Sequence, residues 1–173
     1  MILRGAVLLI AAAMLVGCQT ERSGLDYATA MQRIGPPKAG QARIVVFREK
    51  GFGGVADAGW EFALDGAVLK GLKTGTYLYA DRPAGQHQFF AAEPGFPGET
   101  HQDIAVQSGR TYFYLARNSD RKNAVIANAS TGLLGYGLTL AMTSAYKNQG
   151  PVDFSPVDEA AARTTVAELK LAE

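Results

Sequence analysis

Hydrophobic positions along this chain fall into three successive patterns. The first is an unbroken apolar stretch, Ala6–Val16, set between Arg4 and Gly17-Cys18. The second begins at Ala42, where apolar residues recur every second position in short runs bounded by glycine and proline. Such alternation places one side of each run in a core and the other toward solvent, as β-strands require. The third is Asn123–Tyr146, which holds no charged residue at all.

In the alternating part, Ala42–Glu49 is apolar on both faces at its centre and predicts an internal strand. Trp60, Phe62 and Leu64 alternate with Glu61, Ala63 and Asp65, which predicts a strand with one buried face. Asp65-Gly66 is a type I′ turn signal, because both central residues of that turn take positive φ, and Ala67–Leu72 is the returning strand. Further strands are predicted over Gly75–Ala80, Gln86–Ala92, His101–Val106, Arg110–Arg117 and Ala124–Ala127. Strands at roughly ten-residue spacing predict a mainly β, antiparallel β-sandwich domain over residues 42–127.

Three helical segments flank it. Leu25, Ala28, Met31 and Ile34 predict a short helix within a tether of residues 18–41, stopped by Gly35-Pro36-Pro37. If flexible, about twenty such residues span about 25 Å. Leu134, Leu138, Ala141 and Ala145 follow helical spacing, so residues 128–154 are expected to pack an apolar helix or loop on the sandwich. A membrane span and a bilayer-touching lid are the alternatives for 123–146. Residues 155–173 are expected to form a surface helix with Ser155 as N-cap, Pro156 in its first turn and a thin stripe of Ala162, Val166 and Leu169.

The N-terminal stretch changes the picture most. About eleven apolar residues are too few to span a bilayer core of ~30 Å, so residues 1–17 read as a secretion signal. Leu15-Val16-Gly17-Cys18 matches the bacterial lipobox, with cleavage between Gly17 and Cys18 and a diacylglycerol thioether on the Cys18 sulfur. Two or three acyl chains make such an anchor stable. Gln19, where aspartate marks inner-membrane retention, points to the outer membrane with the domain facing the periplasm.

Removing residues 1–17 from the 173 leaves 156, one domain's worth, with 16 basic and 16 acidic residues. A neutral chain has no electrostatic footprint for nucleic acid. Cys18 is the only cysteine, so lipidation leaves no disulfide, thiolate nucleophile or cysteine metal ligand. His87 and His101 are the only histidines and share no ligand spacing. No serine sits in Gly-x-Ser-x-Gly, and Gly51-Phe52-Gly53-Gly54 has no following lysine of a phosphate loop. No cofactor or metal is expected.

The remaining candidate is aromatic. Tyr77 and Tyr79 share one face of their strand, and Tyr112 and Tyr114 one face of theirs, with Trp60 opening another strand. Exposed and adjacent, they would be a platform for a glycan or an envelope protein; turned inward, they are core.

The series Ile34-Gly35-Pro36-Pro37, Ala42-Arg43-Ile44-Val45-Val46-Phe47-Arg48, Leu64-Asp65-Gly66, Gly75-Thr76-Tyr77-Leu78-Tyr79, Pro83-Ala84-Gly85-Gln86-His87 and Ser108-Gly109-Arg110-Thr111-Tyr112-Phe113-Tyr114 resembles, in that order, the proteobacterial lipoproteins known as domain of unknown function 2846. The likeness runs over Ile34–Arg117, and the expected Pro-Gly turn is one residue longer here. It implies a prealbumin-like sandwich on an envelope lipoprotein and no reaction. The reading is therefore a non-enzymatic binding or interaction module. A glycan-active hydrolase, and a lipid-handling accessory with residues 123–146 as an apolar lid, stand as alternatives.

Overall fold

The computed structural model describes residues 24–51 and 59–173. Residues 1–17 and Cys18, which carry the secretion and lipidation readings, lie outside the described residues. Nine strands are described: β1 (Gln41–Arg48), β2 (Trp60–Leu64), β3 (Ala67–Leu72), β4 (Thr76–Pro83), β5 (Gly85–Ala92), β6 (Thr100–Val106), β7 (Thr111–Asn118), β8 (Val152–Val157) and β9 (Lys170–Leu171). Four α-helices accompany them: α1 (Tyr27–Ile34), α2 (Asp120–Ala127), α3 (Gly132–Met142) and α4 (Glu159–Val166).

The strands form two sheets, a five-stranded one ordered β8-β7-β1-β4-β9 and a four-stranded one ordered β3-β2-β5-β6. The smaller sheet is antiparallel throughout. The larger is mixed, since β1 runs parallel to β7 and β4 parallel to β9. The Asp65-Gly66 turn forms as its sequence predicts, with φ of 55° and 77°.

Between the sheets lies the main core. Ile44, Val46, Phe62, Leu64, Leu78, Phe89, Tyr114 and Phe154 fill it. Phe89 is its aromatic hub, with ring centroids 4.9 Å from Tyr114 and 5.0 Å from Phe154. A second core covers the outer face of the larger sheet. There Tyr27 and Ala30 of α1, with Ala162 and Val166 of α4 and Leu169, pack on Val45, Phe47, Tyr77, Phe113 and Leu115. The molecule is thus helix on sheet on sheet, and β1, the middle strand, is buried on both faces as its pattern requires.

Four expectations change. Residues 24–34 are not tether: Asp26 caps α1 by accepting from Thr29 N at 2.9 Å, and the helix is pinned to the sheet. Ala124–Ala127 is helix, not strand, because Ser119 caps α2 by accepting from Lys122 N at 3.1 Å, and a four-residue apolar run cannot itself choose between the two. Ser155 and Pro156 lie in β8, an edge strand, where a missing N–H costs no ladder bond. Asp158 caps α4 instead, accepting from Ala160 N and Ala161 N. That helix is no surface ornament, since Ala162, Val166 and Leu169 are fully buried.

The fourth concerns α3. The helix forms, but Leu134 and Leu138 are 91% and 63% exposed, while Thr139 is buried. The leucine stripe expected to pack on the sandwich faces away from it. No helix among the described residues is long and apolar enough to cross a membrane.

Candidate functional site

The candidate aromatics do not come together. Tyr77 and Tyr79 lie on the helix-covered face of the larger sheet, Tyr112 and Tyr114 on its inter-sheet face. Alternation along β4 and β7 sets each pair on one face, as predicted, but β1 lies between the two strands and register decides which face. Tyr77 is wholly buried, donates its hydroxyl to Leu25 O at 3.3 Å and meets Tyr27 edge-on. Burial raises the phenol pKa of Tyr77 and of Tyr114 above the ordinary value of 10. Tyr79 and Tyr112 are half-buried, and Tyr112 accepts from Gln107 N. These side chains are core, not a platform.

Trp60 is buried too, in a charged cap over one end of the sandwich. Its indole N–H donates to Glu93 Oε2 at 3.0 Å, and the Arg48 guanidinium stacks 3.6 Å from its ring centre. Lys122 pairs with the same Glu93 carboxylate, and its ammonium lies 5.3 Å from the Trp60 ring. Every charge in this cluster has an opposite charge or a π face against it, which is what burial of charges demands.

The histidines separate. His87 Nδ1 lies 2.8 Å from Asp65 Oδ2 and its Nε2 lies 2.8 Å from Pro83 O. Such a pair resembles the base and orienting acid of hydrolases, but both ring nitrogens face oxygen acceptors of the fold, so neither points to a substrate. The Asp65 carboxyl lies below its ordinary value of 3.8. Burial, the largest single influence, pushes it up, but Gln88 N–H, His87 and Arg82 together outweigh it. Among the described residues no group of three or more His, Cys, Asp or Glu side chains is placed to hold a metal ion.

His101 sits elsewhere, on the wall of a cleft of about 710 Å³. Thr100, His101 and Gln102 come from β6, Ser119, Asp120 and Arg121 from the start of α2, Tyr146, Lys147 and Asn148 from the segment after α3, and Asp153 from β8. Side chains hold these walls together. Thr100 Oγ1 donates to Val152 O at 2.8 Å, and Gln102 Nε2 to Phe154 O at 3.0 Å, stitching the edge strands of the two sheets. Asn148 Nδ2 donates to Val152 O and Asp153 Oδ1, both at 2.6 Å. Buried Arg121 donates to Pro97 O and Gln149 O, tying two loops to the head of α2. Gly150 runs so close to β6 that a Cβ there would meet Thr100 N at 2.1 Å.

What remains outward-facing in the cleft is His101, Asp120, Tyr146 and Lys147. That set carries both charge signs, an imidazole and an aromatic ring, and no hydroxyl nucleophile beside a base. Arg121, Asn148 and Asp153 carry no local sequence signal, because the partners of Arg121 lie 22 or more residues away and Asn148 meets Asp153 only when the loop returns to β8.

No protein-family model matches the chain, and no curated protein matches it. The resemblance to the lipoprotein family therefore rests on the ordered motifs alone.

Proposed function

We propose that this chain is an outer-membrane lipoprotein, anchored through lipid on Cys18 and facing the periplasm, that binds an envelope partner, protein or glycan, without performing chemistry on it. The prealbumin-like form of its sandwich, and membership among the lipoproteins it resembles, belong to the same proposal. The observation that supports binding is the cleft. Its framework polar groups are spent on the fold, and the exposed side chains on its walls, Asp120, Tyr146, Lys147 and His101, whose Nε2 lies 3.4 Å from Glu99 Oε2, suit a polar ligand with both donors and acceptors.

The hydrolase reading has the 2.8 Å His87–Asp65 pair in its favour, but both imidazole nitrogens of that pair already face oxygens of the fold. The lipid-handling reading has the exposed leucines of α3. It needs an apolar cavity, whereas the cleft beside α2 is polar and the space between the sheets around Phe62 and Leu69 leaves no room for a water molecule.

Site-specific photo-crosslinking in intact cells tests binding, with a photoreactive residue at His101 and a control at Val68, an exposed position on β3. A discrete adduct from position 101, absent from 68 and lost in Asp120→Lys, is expected. Identical patterns from both positions overturn the proposal.

A further inference from the structure

Among the described residues the exposed large apolar side chains are concentrated in one place. Of the seven large hydrophobic residues exposed among the described residues, Ile126, Leu133, Leu134, Leu138 and Met142 belong to the α2–α3 hairpin, Tyr146 follows it on the cleft wall, and Val68 lies on β3. Leu133 and Leu134 are 89% and 91% exposed. A cluster of this kind on a folded domain marks a contact with another apolar phase.

The polarity of α3 is inverted relative to a helix built for water. Its inward residue is Thr139, with Thr143 just beyond its end, and both hydroxyls are satisfied locally, donating to Gly135 O and Thr139 O at 2.8 Å. Residues 123–146 carry no charge. At eleven residues, about 16 Å, α3 is too short to cross a bilayer but long enough to lie in its surface.

Topology says which apolar phase is within reach. Gly24, the first described residue, abuts Leu171, whose strand β9 pairs with the start of β4, opposite Arg48 at the end of β1. β7 runs parallel to β1 and hands over to α2 at this same end. The chain leading back to Cys18 and the base of the hairpin thus share one end of the larger sheet. They are three strand spacings apart, about 14 Å. Only residues 19–23 separate Cys18 from Gly24, a reach of at most about 20 Å even fully extended.

We propose that the α2–α3 hairpin is a second membrane contact, its leucine face lying in the headgroup–acyl boundary of the bilayer that holds the lipid on Cys18. The inference rests on the lipid-anchor reading above. It adds an orientation: the end of the sandwich bearing the Trp60 cap faces the membrane, and the Asp65-Gly66 turn faces away from it.

The test uses the full acylated chain purified from membranes and reconstituted into phosphatidylethanolamine–phosphatidylglycerol vesicles, with Leu134→Cys carrying an environment-sensitive fluorophore and Val68→Cys as the control. Both positions are exposed, so labelling leaves the core intact; Leu138→Cys serves as a second reporter. A blue-shifted emission at 134, most of it quenched by lipids with doxyl groups near the headgroup, with position 68 water-like and unquenched, is the expected result. Water-like emission at 134 in protein whose N-terminal peptide carries the lipid overturns the inference and leaves the anchor standing. A blue shift that doxyl lipids do not quench and that grows with protein concentration shows a second copy on this face, and also overturns it. An unmodified Cys18 in the N-terminal peptide overturns the anchor, and separates that failure from the behaviour of the hairpin.

Discussion

Arg43 and Asp81 are cross-strand partners in β1 and β4, joined by two parallel charge-assisted bonds of 2.7 Å. A third donor, Arg43 Nη1, reaches Gly35 O at the C-cap of α1, also at 2.7 Å. The guanidinium is nearly inaccessible, and its pKa is raised chiefly by the hydrogen bonds to Asp81. One side chain thereby welds the N-terminal helix to the sheet and fixes how short the link to Cys18 is.

Removing Asp81 leaves the buried Arg43 charge without its carboxylate, whereas removing Arg43 leaves a carboxylate that is 24% exposed. Asp81→Ala should lower stability by about 3–5 kcal/mol in urea titration, and Arg43→Ala by less. Replacing both, by methionine and leucine, should cost far less. A single variant as stable as the parent would show that α1 is held by its apolar face alone.

The aromatic candidates make an opposite pair of expectations. Tyr77→Ala empties a wholly buried site and should cost about 3–5 kcal/mol. Tyr77→Phe loses only the bond to Leu25 O, about 1 kcal/mol. An unchanged melting temperature for Tyr77→Ala would return the tyrosines to the surface.

Acid stability should depend on Asp65. A carboxylate whose folded-state pKa is depressed contributes stability above its unfolded value near 3.8, and loses it as pH falls through the lower folded value. Asp65→Asn keeps a residue that tolerates φ of 55° but removes that titration. It should be less stable than the parent at pH 7 and lose less stability between pH 5 and 2, as followed by thermal melts. Parallel pH profiles would exclude the contribution.

Arg121→Ala should uncouple the loops that frame the cleft. Pro97 O and Gln149 O would each lose a buried charged donor, for a cost of about 2–4 kcal/mol. Hydrogen exchange should rise first around residues 96–99 and 143–150. Uniform exchange across the domain would mean that the cleft has no separate stability.

Cys18→Ser should abolish palmitate incorporation in growing cells. Retained label would overturn the address, and with it the geometry argued for the hairpin.

How much of this could be read in advance differs element by element. β3 spans Ala67–Leu72 as read, and β1 is central because Ile44 and Val46 serve one core while Val45 and Phe47 serve another. Local rules suffice there, since alternation and turn chemistry act within ten residues. The candidate site was not legible. Its walls come from β6, α2, the segment after α3, and β8, and nothing local to His101 announces Asp153.

The sequence by itself determined strands β1 to β7 and the Asp65-Gly66 turn. These depend on periodicity, backbone sterics and residue spacing. The tertiary structure decided which face each periodic stripe presents. It buried Ala162, Val166 and Leu169, which looked too thin to bury, and left Leu134 and Leu138 outside, although they looked suited to a core. The reason is that a stripe records only that an apolar surface exists. Whether that surface meets a sheet or something beyond the molecule is set by what the rest of the chain has already covered, and α1 and α4 had covered the outer face of the larger sheet.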